Sequence, residues 1–179
     1  DQAIHVKGLE PAGYDPRILP GMGLAYGSSP RGACHLRATF YKPELAGIVE
    51  KDKIEGKAGI FAEWEDRLTL FDTFILCRFY RDMYQWEALG RMIKGVAGLD
   101  LDARGMRRIA ARVSDDIRRF NLQEGLVPDD DHLPERFYRE ALPETGRLIT
   151  RETMDLMLKE YYQARGWDET GRPVNPDIS

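Results

Sequence analysis

A carboxylate and a thiol stand five positions apart in an otherwise apolar stretch, Asp72-Thr73-Phe74-Ile75-Leu76-Cys77. A carboxylate can accept several hydrogen bonds from a ligand rich in ring N–H groups, and a thiolate is a soft donor suited to iron–sulfur or zinc sites. On a straight helix this spacing separates the two side chains by roughly 140° and about 7.5 Å along the axis. We therefore expect Asp72 and Cys77 to serve two different neighbours rather than one metal. The structural alternative is an Asp that caps a helix and a buried Cys.

A second group of reactive side chains lies in Arg31-Gly32-Ala33-Cys34-His35-Leu36-Arg37. The imidazole of His35 titrates near neutral pH and can move a proton at a reacting centre, and two guanidinium groups can clamp an anion. A nucleophilic pair of Cys34 and His35 is not expected, because adjacent side chains seldom face each other. A purely structural interpretation, with a buried Cys34 and a hydrogen-bonded His35, stays open.

Three other groups of residues are better explained by structural roles, or are too scattered to form a binding site. The run Gly21-Met22-Gly23-Leu24-Ala25-Tyr26-Gly27 lacks the Gly-x-Gly-x-x-Gly spacing of a dinucleotide loop and follows no predicted strand, so its glycines predict close backbone packing. The three histidines and two cysteines are too scattered for a structural zinc site. Asp15 and Arg17, which flank Pro16, predict a helix cap with a neighbouring ion pair.

Four helices are predicted to position these side chains. Apolar residues recur at steps of three and four over residues 57–74, 85–96, 103–121 and 151–165. Asp102 and Thr150 are predicted N-caps, and Gly166 is predicted to end the last helix. A shorter, glycine-rich helix is predicted over residues 16–28, and residues 125–133 are predicted to form an acidic loop.

The apolar stripes also predict which helix faces are buried. The first stripe includes Ile60 and Ile75, and the third includes Phe120. Asp115 and Arg118 are assigned to the polar faces of the third helix. Because neither a sustained period-two alternation nor an internal repeat occurs, the predicted fold is all-α, multi-helical and bundle-like or orthogonal, with an irregular glycine-rich N-terminal segment.

Composition argues against several classes of protein. The 179 residues carry 26 Lys and Arg against 30 Asp and Glu, a net charge of −4, and lack the basic cluster that a nucleic-acid partner needs. No apolar run approaches the roughly 18–20 residues of a membrane span. Two cysteines and no recognisable secretory signal predict a reducing, cytoplasmic compartment. The sequence does not start with Met, and we expect it to be a piece of a longer polypeptide.

Several motifs, in order along the chain, resemble the C-terminal portion (domains 2 and 3) of the aldehyde ferredoxin oxidoreductase family. They are Val6-Lys7-Gly8-Leu9-Glu10-Pro11-Ala12-Gly13-Tyr14-Asp15-Pro16-Arg17, Gly21-Met22-Gly23-Leu24-Ala25-Tyr26, Arg31-Gly32-Ala33-Cys34-His35-Leu36-Arg37 and Arg165-Gly166-Trp167-Asp168. The stretch from Asp72 to Cys77 is similar to the family's second pterin motif, Asp-x-x-Gly-Leu-Cys, with Ile75 in place of Gly. The resemblance implies a tungsten, or molybdenum, bis-pterin cofactor, one 4Fe–4S cluster, and oxidation of aldehydes to carboxylic acids.

The resemblance assigns roles to five residues. Asp72 would hydrogen-bond a pterin, and Leu76 would contact it through its backbone. Arg37 would lie near a pterin phosphate or ring. Cys77 would be the cluster ligand that this part of the chain contributes, and His35 would exchange a proton with the aldehyde oxygen.

A 4Fe–4S cluster takes four thiolates, and this chain has two cysteines, so the resemblance places the other ligands upstream in the same enzyme. The chain alone is expected to be inactive, with residues 1–42 facing the cofactor and residues 43–179 forming a helical domain. The implied partners are the missing N-terminal part, an aldehyde, and ferredoxin or another electron-transfer subunit; a homodimer is one implied assembly. The alternative hypothesis is a cofactor-free helical interaction module that kept the fold and lost the chemistry.

Overall fold

The computed structural model describes residues 3–174, and within them the chain is helical and forms no β-sheet. The α-helices in this range are α1 (Pro20–Ser28), α2 (His35–Ala38), α3 (Tyr41–Leu45), α4 (Lys57–Thr73), α5 (Trp86–Ala97), α6 (Ala103–Gln123), α7 (Glu135–Arg139) and α8 (Arg151–Arg165). Two 3-10 helices occupy Arg78–Tyr80 and Pro128–Asp131. The predicted all-α fold is confirmed for this part of the chain, in which no helix has the length and apolarity needed to cross a bilayer.

The four long helices, α4, α5, α6 and α8, lie where the apolar periodicity predicts them, with ends that differ by at most two residues. An Asp102 carboxylate oxygen accepts a hydrogen bond from the Gly105 amide at 2.7 Å and caps α6. The Thr150 hydroxyl accepts one from the Thr153 amide at 3.1 Å and caps α8. Gly166 has the left-handed φ of +69° just after α8. All three capping predictions are confirmed.

Helix α1 begins at Pro20 rather than at the predicted Pro16. Asp15 instead closes a separate turn, in which the Leu19 amide donates to the Asp15 carbonyl at 2.9 Å. Pro20 at the first helical position loses no hydrogen bond, because the first amides of a helix have no intrahelical acceptor. The predicted ion pair of Asp15 and Arg17 is confirmed at 2.7 Å.

The glycines of α1 allow neighbouring elements to approach this fully buried helix closely. A Cβ atom at Gly21 would lie 2.4 Å from the ring of Phe40. A Cβ atom at Gly27 would lie 2.2 Å from the carbonyl oxygen of Asp131. Both distances are far inside van der Waals contact, so these glycines serve packing within the chain, as their spacing predicts.

Helix α4 takes part in both hydrophobic clusters of the described residues. Its first half, with Phe61 and Ala62, packs with α1 and α8 in the larger cluster. Its second half, with Leu68 and Phe71, packs against α5 and α6 in the smaller one. Trp64 contacts both clusters, and α4 therefore connects the two halves of the core.

The larger cluster contains residues from both sides of the predicted boundary after Lys42. Leu24 and Phe40 precede the boundary, and Met157 and Tyr161 follow it, yet all four lie in one core. The division into residues 1–42 and 43–179 stays a prediction.

Several burial predictions for the long helices are wrong. Ile60, Ile75 and Phe120 are exposed, although they belong to the predicted apolar stripes. Asp115 and Arg118, assigned to polar faces, are buried. They are buried because polar groups from other segments meet them, which the periodicity of one helix cannot reveal.

Asp131, predicted to lie in an acidic loop, is fully buried in the second 3-10 helix. Its carboxylate accepts hydrogen bonds from Lys7 at 2.7 Å and from Tyr162 at 2.6 Å, and it pairs with Arg118 at 2.7 Å. Burial alone would raise the pKa of Asp131, but the charges and hydrogen bonds of Lys7 and Arg118 lower it. This cluster joins the N-terminal segment to α6 and α8.

Candidate functional site

The predicted Asp72–Cys77 motif lies where α4 ends, and the helix stops before Cys77. The Ile75 amide donates to the Asp72 carbonyl at 3.1 Å, and the Leu76 amide donates to the Phe71 carbonyl at 2.8 Å. With Ile75 in the left-handed region, at φ +56°, these bonds form a Schellman cap. The straight-helix separation of Asp72 and Cys77 is therefore wrong, because Cys77 lies beyond the cap in another segment.

Ile75 takes a glycine-like backbone conformation at the position where the resembling motif has glycine. The left-handed region costs an L-residue about 1–2 kcal/mol, because its Cβ atom approaches the following carbonyl oxygen. The side chain is 93% exposed, so packing within the described chain does not offset this cost. The backbone of the motif thus keeps the shape that glycine would allow, while it presents a branched apolar side chain to the outside.

Two arginines hold the carboxylate of Asp72 by the same oxygen. Arg37 Nη1 and Arg78 Nη2 each donate to Asp72 Oδ2 at 2.5 Å. Arg37 also donates to Thr69 Oγ1 at 3.2 Å, which fixes α2 against α4. Within residues 3–174 the second oxygen, Oδ1, accepts no hydrogen bond, and the Asp72 side chain is 48% exposed. The carboxylate is therefore oriented with one oxygen open to a ligand.

Cys77 is exposed just before the 3-10 helix Arg78–Tyr80, so the structural prediction of a buried Cys is wrong for this residue. That prediction is right for Cys34, which is buried and accepts a hydrogen bond from Arg31 at 2.7 Å. Among the described residues, no three His, Cys, Asp or Glu side chains come together in a way that could hold a metal ion. Cys77 can thus offer one sulfur to a group whose other ligands come from elsewhere.

His35 begins α2, two residues before Arg37, and lies against aromatic rings. Its ring centre is 5.8 Å from that of Tyr14 and 6.4 Å from that of Tyr41, and the two tyrosines stack at 3.9 Å. Burial and the proximity of Tyr14 raise the pKa of Tyr41. In the part of the chain that the structure describes, neither imidazole nitrogen of His35 has a hydrogen-bond partner, contrary to the structural alternative of a hydrogen-bonded His. Packing on the two tyrosines therefore places the ring.

A family model described as aldehyde ferredoxin oxidoreductase, domains 2 & 3, matches residues 1–177. The chain belongs to the aldehyde ferredoxin oxidoreductase family. Proteins named tungsten-containing aldehyde ferredoxin oxidoreductase, from Pyrococcus furiosus and Thermococcus kodakarensis, are each 33% identical over 175 residues. The protein of that name from Pyrococcus horikoshii is 33% identical over 172 residues. These matches cover 95% and 93% of this chain but only 29% and 28% of the relatives, so the chain spans less than a third of their length.

The structure brings some of the residues that the family resemblance singled out into direct contact and leaves others apart. Arg37 and Asp72 are joined by a hydrogen bond. Leu76 follows on the same cap, but its amide is already donated to the Phe71 carbonyl, so a backbone contact from Leu76 to a ligand would use its carbonyl. His35 lies on α2 with Arg37, and its ring packs on Tyr14 and Tyr41.

The sequence-based hypothesis missed Arg78. This arginine directly follows Cys77 and donates to Asp72, and its side chain is 14% exposed. Burial lowers the pKa of Arg78, and the charge of Asp72 opposes that shift. The sequence signal that could have identified Arg78 is a basic residue directly after Cys77, the last position of the family motif.

The segment around Cys77 exposes several large apolar side chains. They are Phe74, Ile75, Phe79, Tyr80 and Met83, and we call them the motif surface. Contiguous exposed apolar patches on soluble proteins mark interaction sites. The motif surface is thus a candidate interaction surface next to Cys77 in the sequence.

A cavity of about 580 Å³ lies elsewhere, between α8 and the second 3-10 helix. His132, Asp155, Tyr162 and Trp167 are among its lining residues. None of the residues predicted for the site lines it, so cavity size alone does not locate the chemistry in this chain.

Proposed function

We propose that this chain is the C-terminal part of a tungsten- or molybdenum-pterin oxidoreductase that oxidises aldehydes to carboxylic acids. In this proposal two electrons leave one at a time through a 4Fe–4S cluster to ferredoxin or another electron-transfer subunit. The cluster, the pterin and ferredoxin are inferences from family membership and from the residues at the end of α4. The cytoplasmic location is inferred from the small number of cysteines.

One observation carries the proposal: the end of α4 offers an oriented carboxylate oxygen and an exposed thiol on the two sides of a tight cap. The open Oδ1 of Asp72 fits the ring N–H groups of a pterin, because a carboxylate accepts hydrogen bonds only. The exposed thiol of Cys77 fits one of the four thiolate positions of an iron–sulfur cluster. Donors also remain nearby, since Arg37 Nε and Arg78 Nη1 are buried without a partner among the described residues. The residues present thus fit both groups.

The proposed reaction converts an aldehyde and water to a carboxylate, three protons and two electrons. The metal–pterin group would supply the two-electron oxidation, and the cluster would supply single-electron transfer. Asp72 would hold and orient the pterin through Oδ1, and Cys77 would anchor the cluster through Sγ. His35 would accept or return a proton at an open ring nitrogen, on the side of the substrate oxygen. Packing on Tyr14 and Tyr41 would keep that ring from turning away.

The missing part of the enzyme is an essential partner in this proposal. The chain covers only 29% of the Pyrococcus furiosus relative, so upstream polypeptide has room to supply the other cluster ligands. We propose that this upstream part covers the motif surface and that the chain alone is inactive. A homodimer stays a prediction.

The first test is elemental analysis of the full-length protein that contains this chain, purified without oxygen. We expect tungsten or molybdenum together with the iron of one 4Fe–4S cluster, and reduction of ferredoxin when an aldehyde is added. A full-length protein with none of these metals would contradict the proposal and favour the cofactor-free interaction module, which agrees with an Ile at the glycine position of the motif.

The second test compares the two cysteines in the full-length protein. Cys77→Ala removes a proposed cluster ligand, so we expect most of the cluster iron and its visible absorbance to be lost. Cys34→Ala is the matched control: it removes a buried thiol bound to Arg31, and we expect it to lower stability while iron content stays at the parent level. Unchanged iron in Cys77→Ala would remove Cys77 from the ligand set.

A further inference from the structure

Arg78 links the two halves of the motif in a way that family membership alone does not assign. Its backbone directly follows Cys77, and its guanidinium donates to Asp72 Oδ2 at 2.5 Å. The segment that carries the exposed thiol is thereby tied back to the carboxylate at the end of α4. The residues just before Cys77 and Asp72 are also joined, because the Leu76 amide donates a hydrogen bond to the Phe71 carbonyl.

The guanidinium of Arg78 is almost enclosed, yet it is not satisfied. Its side chain is 14% exposed, and Nη1 is buried without a partner among the described residues. Arg37, the other arginine that binds Asp72, likewise has a buried Nε without a partner in this part of the chain. Buried unpaired donors are costly, and this cost indicates a ligand or neighbour that completes them.

The charges also favour a ligand with acceptor atoms. Two guanidinium groups face one carboxylate, so the cluster of Arg37, Asp72 and Arg78 carries one excess positive charge. Removal of either arginine would leave a neutral pair in which a single arginine holds Asp72 Oδ2. The orientation of Oδ1 therefore depends on both arginines.

We propose that Arg78 is a positioning residue of the cofactor site: it fixes Asp72 for the pterin and carries a permanent positive charge on the residue that directly follows the cluster ligand Cys77. This inference rests on the proposed function. The charge has a definite effect, because reduction adds a negative charge to the cluster and a neighbouring cation favours the reduced form. Arg78 thus raises the cluster midpoint potential, and its hydrogen bond slows the loss of the pterin-bound metal.

The test uses the full-length protein and three variants. Arg78→Gln removes the charge and the guanidinium fork, and Arg78→Lys keeps the charge with a single donor group. Arg91→Gln is the matched control, since it removes an arginine charge from an exposed ion pair with Glu87 on α5. Two readouts are measured: the cluster midpoint potential in a redox titration followed by electron paramagnetic resonance, and the rate at which tungsten or molybdenum is lost on dialysis.

In Arg78→Gln we expect a lower midpoint potential and metal loss faster by about tenfold or more, the usual scale for a lost partner of a site residue. In Arg78→Lys we expect the parent potential with intermediate metal loss, and in Arg91→Gln neither change. If Arg78→Gln does not fold, Arg78→Lys provides the test. An intermediate rate of metal loss with the parent midpoint potential in Arg78→Lys supports the proposal. The parent rate together with the parent potential in that variant overturns it.

Two other outcomes are distinct from each other. If the parent protein holds iron together with tungsten or molybdenum, and Arg78→Gln changes neither the midpoint potential nor the rate of metal loss, this inference is overturned and the proposed function stays intact. If the parent protein holds neither iron nor tungsten or molybdenum, this inference and the proposed function are both overturned. A purely structural role for Arg78 would lower the unfolding temperature and would leave the potential of the remaining clusters unmoved.

Discussion

Among single residues, Ile75 shows most directly how the backbone at the site is shaped. Its φ of +56° closes the cap of α4 and redirects the chain toward Cys77. Strain of this kind persists where surrounding contacts impose it, and here the two capping hydrogen bonds around Ile75 do so. The exposed side chain belongs to the motif surface, where the proposed upstream part would cover it.

Replacement of Ile75 by glycine should stabilise the isolated chain. Ile75→Gly relieves the left-handed strain and loses almost no packing, and the greater freedom of glycine in the unfolded chain offsets part of the gain. We expect the free energy of unfolding to rise by about 1 kcal/mol, measured by urea denaturation.

Ile48→Gly is the matched control for this substitution. Ile48 is also exposed but is not among the described residues with positive φ, so glycine there should lower the free energy of unfolding. A loss of stability in Ile75→Gly as large as in Ile48→Gly would contradict the strain at Ile75.

At the scale of elements, side-chain caps mark where two of the long helices, α6 and α8, begin. Helix α6 begins after Asp102, whose carboxylate accepts from the Gly105 amide, and α8 begins after Thr150. Both helices pack against α4, so the residue at which each helix begins determines which of its side chains face α4. Helix α6 packs against the second half of α4, which leads to the site, and α8 packs against the first half.

Loss of the α6 cap should therefore weaken the fold. For Asp102→Ala we expect the free energy of unfolding to fall by about 1 kcal/mol, because the Gly105 amide loses its acceptor. Urea denaturation of the chain measures this change. The control Asp100→Ala removes a nearby carboxylate that forms only an exposed pair with Lys94, and it should cost less than half as much. Equal losses in the two variants would argue against the capping role.

At the scale of the whole molecule, buried ion pairs connect helices that are far apart in sequence. Arg165 of α8 binds Glu65 and Asp66 of α4, and the hydroxyl of Tyr161 donates to Glu65 at 2.7 Å. Burial raises the pKa of Asp66 to about 6, although the charge of Arg165 opposes the shift. The packing of α4 on α8 thus depends on the protonation of a buried carboxyl group.

The raised pKa of Asp66 predicts an unusual pH dependence of stability. This pKa is higher in the folded chain than its ordinary 3.8, so the folded state binds more protons between pH 3.8 and about 6. The contribution of Asp66 to the free energy of unfolding therefore rises as pH falls from 7.5 to 5.5, with a slope of at most about 1.4 kcal/mol per pH unit. Burial raises the pKa of Glu44 and of Asp115 in the same direction.

Urea midpoints of the chain at pH 7.5 and pH 5.5 test this dependence. We expect a higher midpoint at pH 5.5 in the parent and a clearly smaller difference in Asp66→Asn. The exposed Asp100→Asn should keep the parent difference. A parent that is less stable at pH 5.5 would contradict the assigned direction.

The sequence alone predicts the fold class, the four long helices, the caps of α6 and α8, and the family, because periodicity and capping act over a few neighbouring residues. It also named Arg37, Asp72, Leu76, Cys77 and His35 through the family motifs. The roles of these five residues stay predictions.

How these residues meet is set by tertiary packing. Arg37 reaches Asp72 across 35 positions, and Arg78 joins them only because the chain turns back at Ile75. Asp131 is buried because Lys7 arrives from the far end of the chain, and Ile75 is exposed although helical periodicity assigns it to the core. Contacts of this kind depend on how helices pack against each other, and the pattern along one helix carries no record of what lies opposite it.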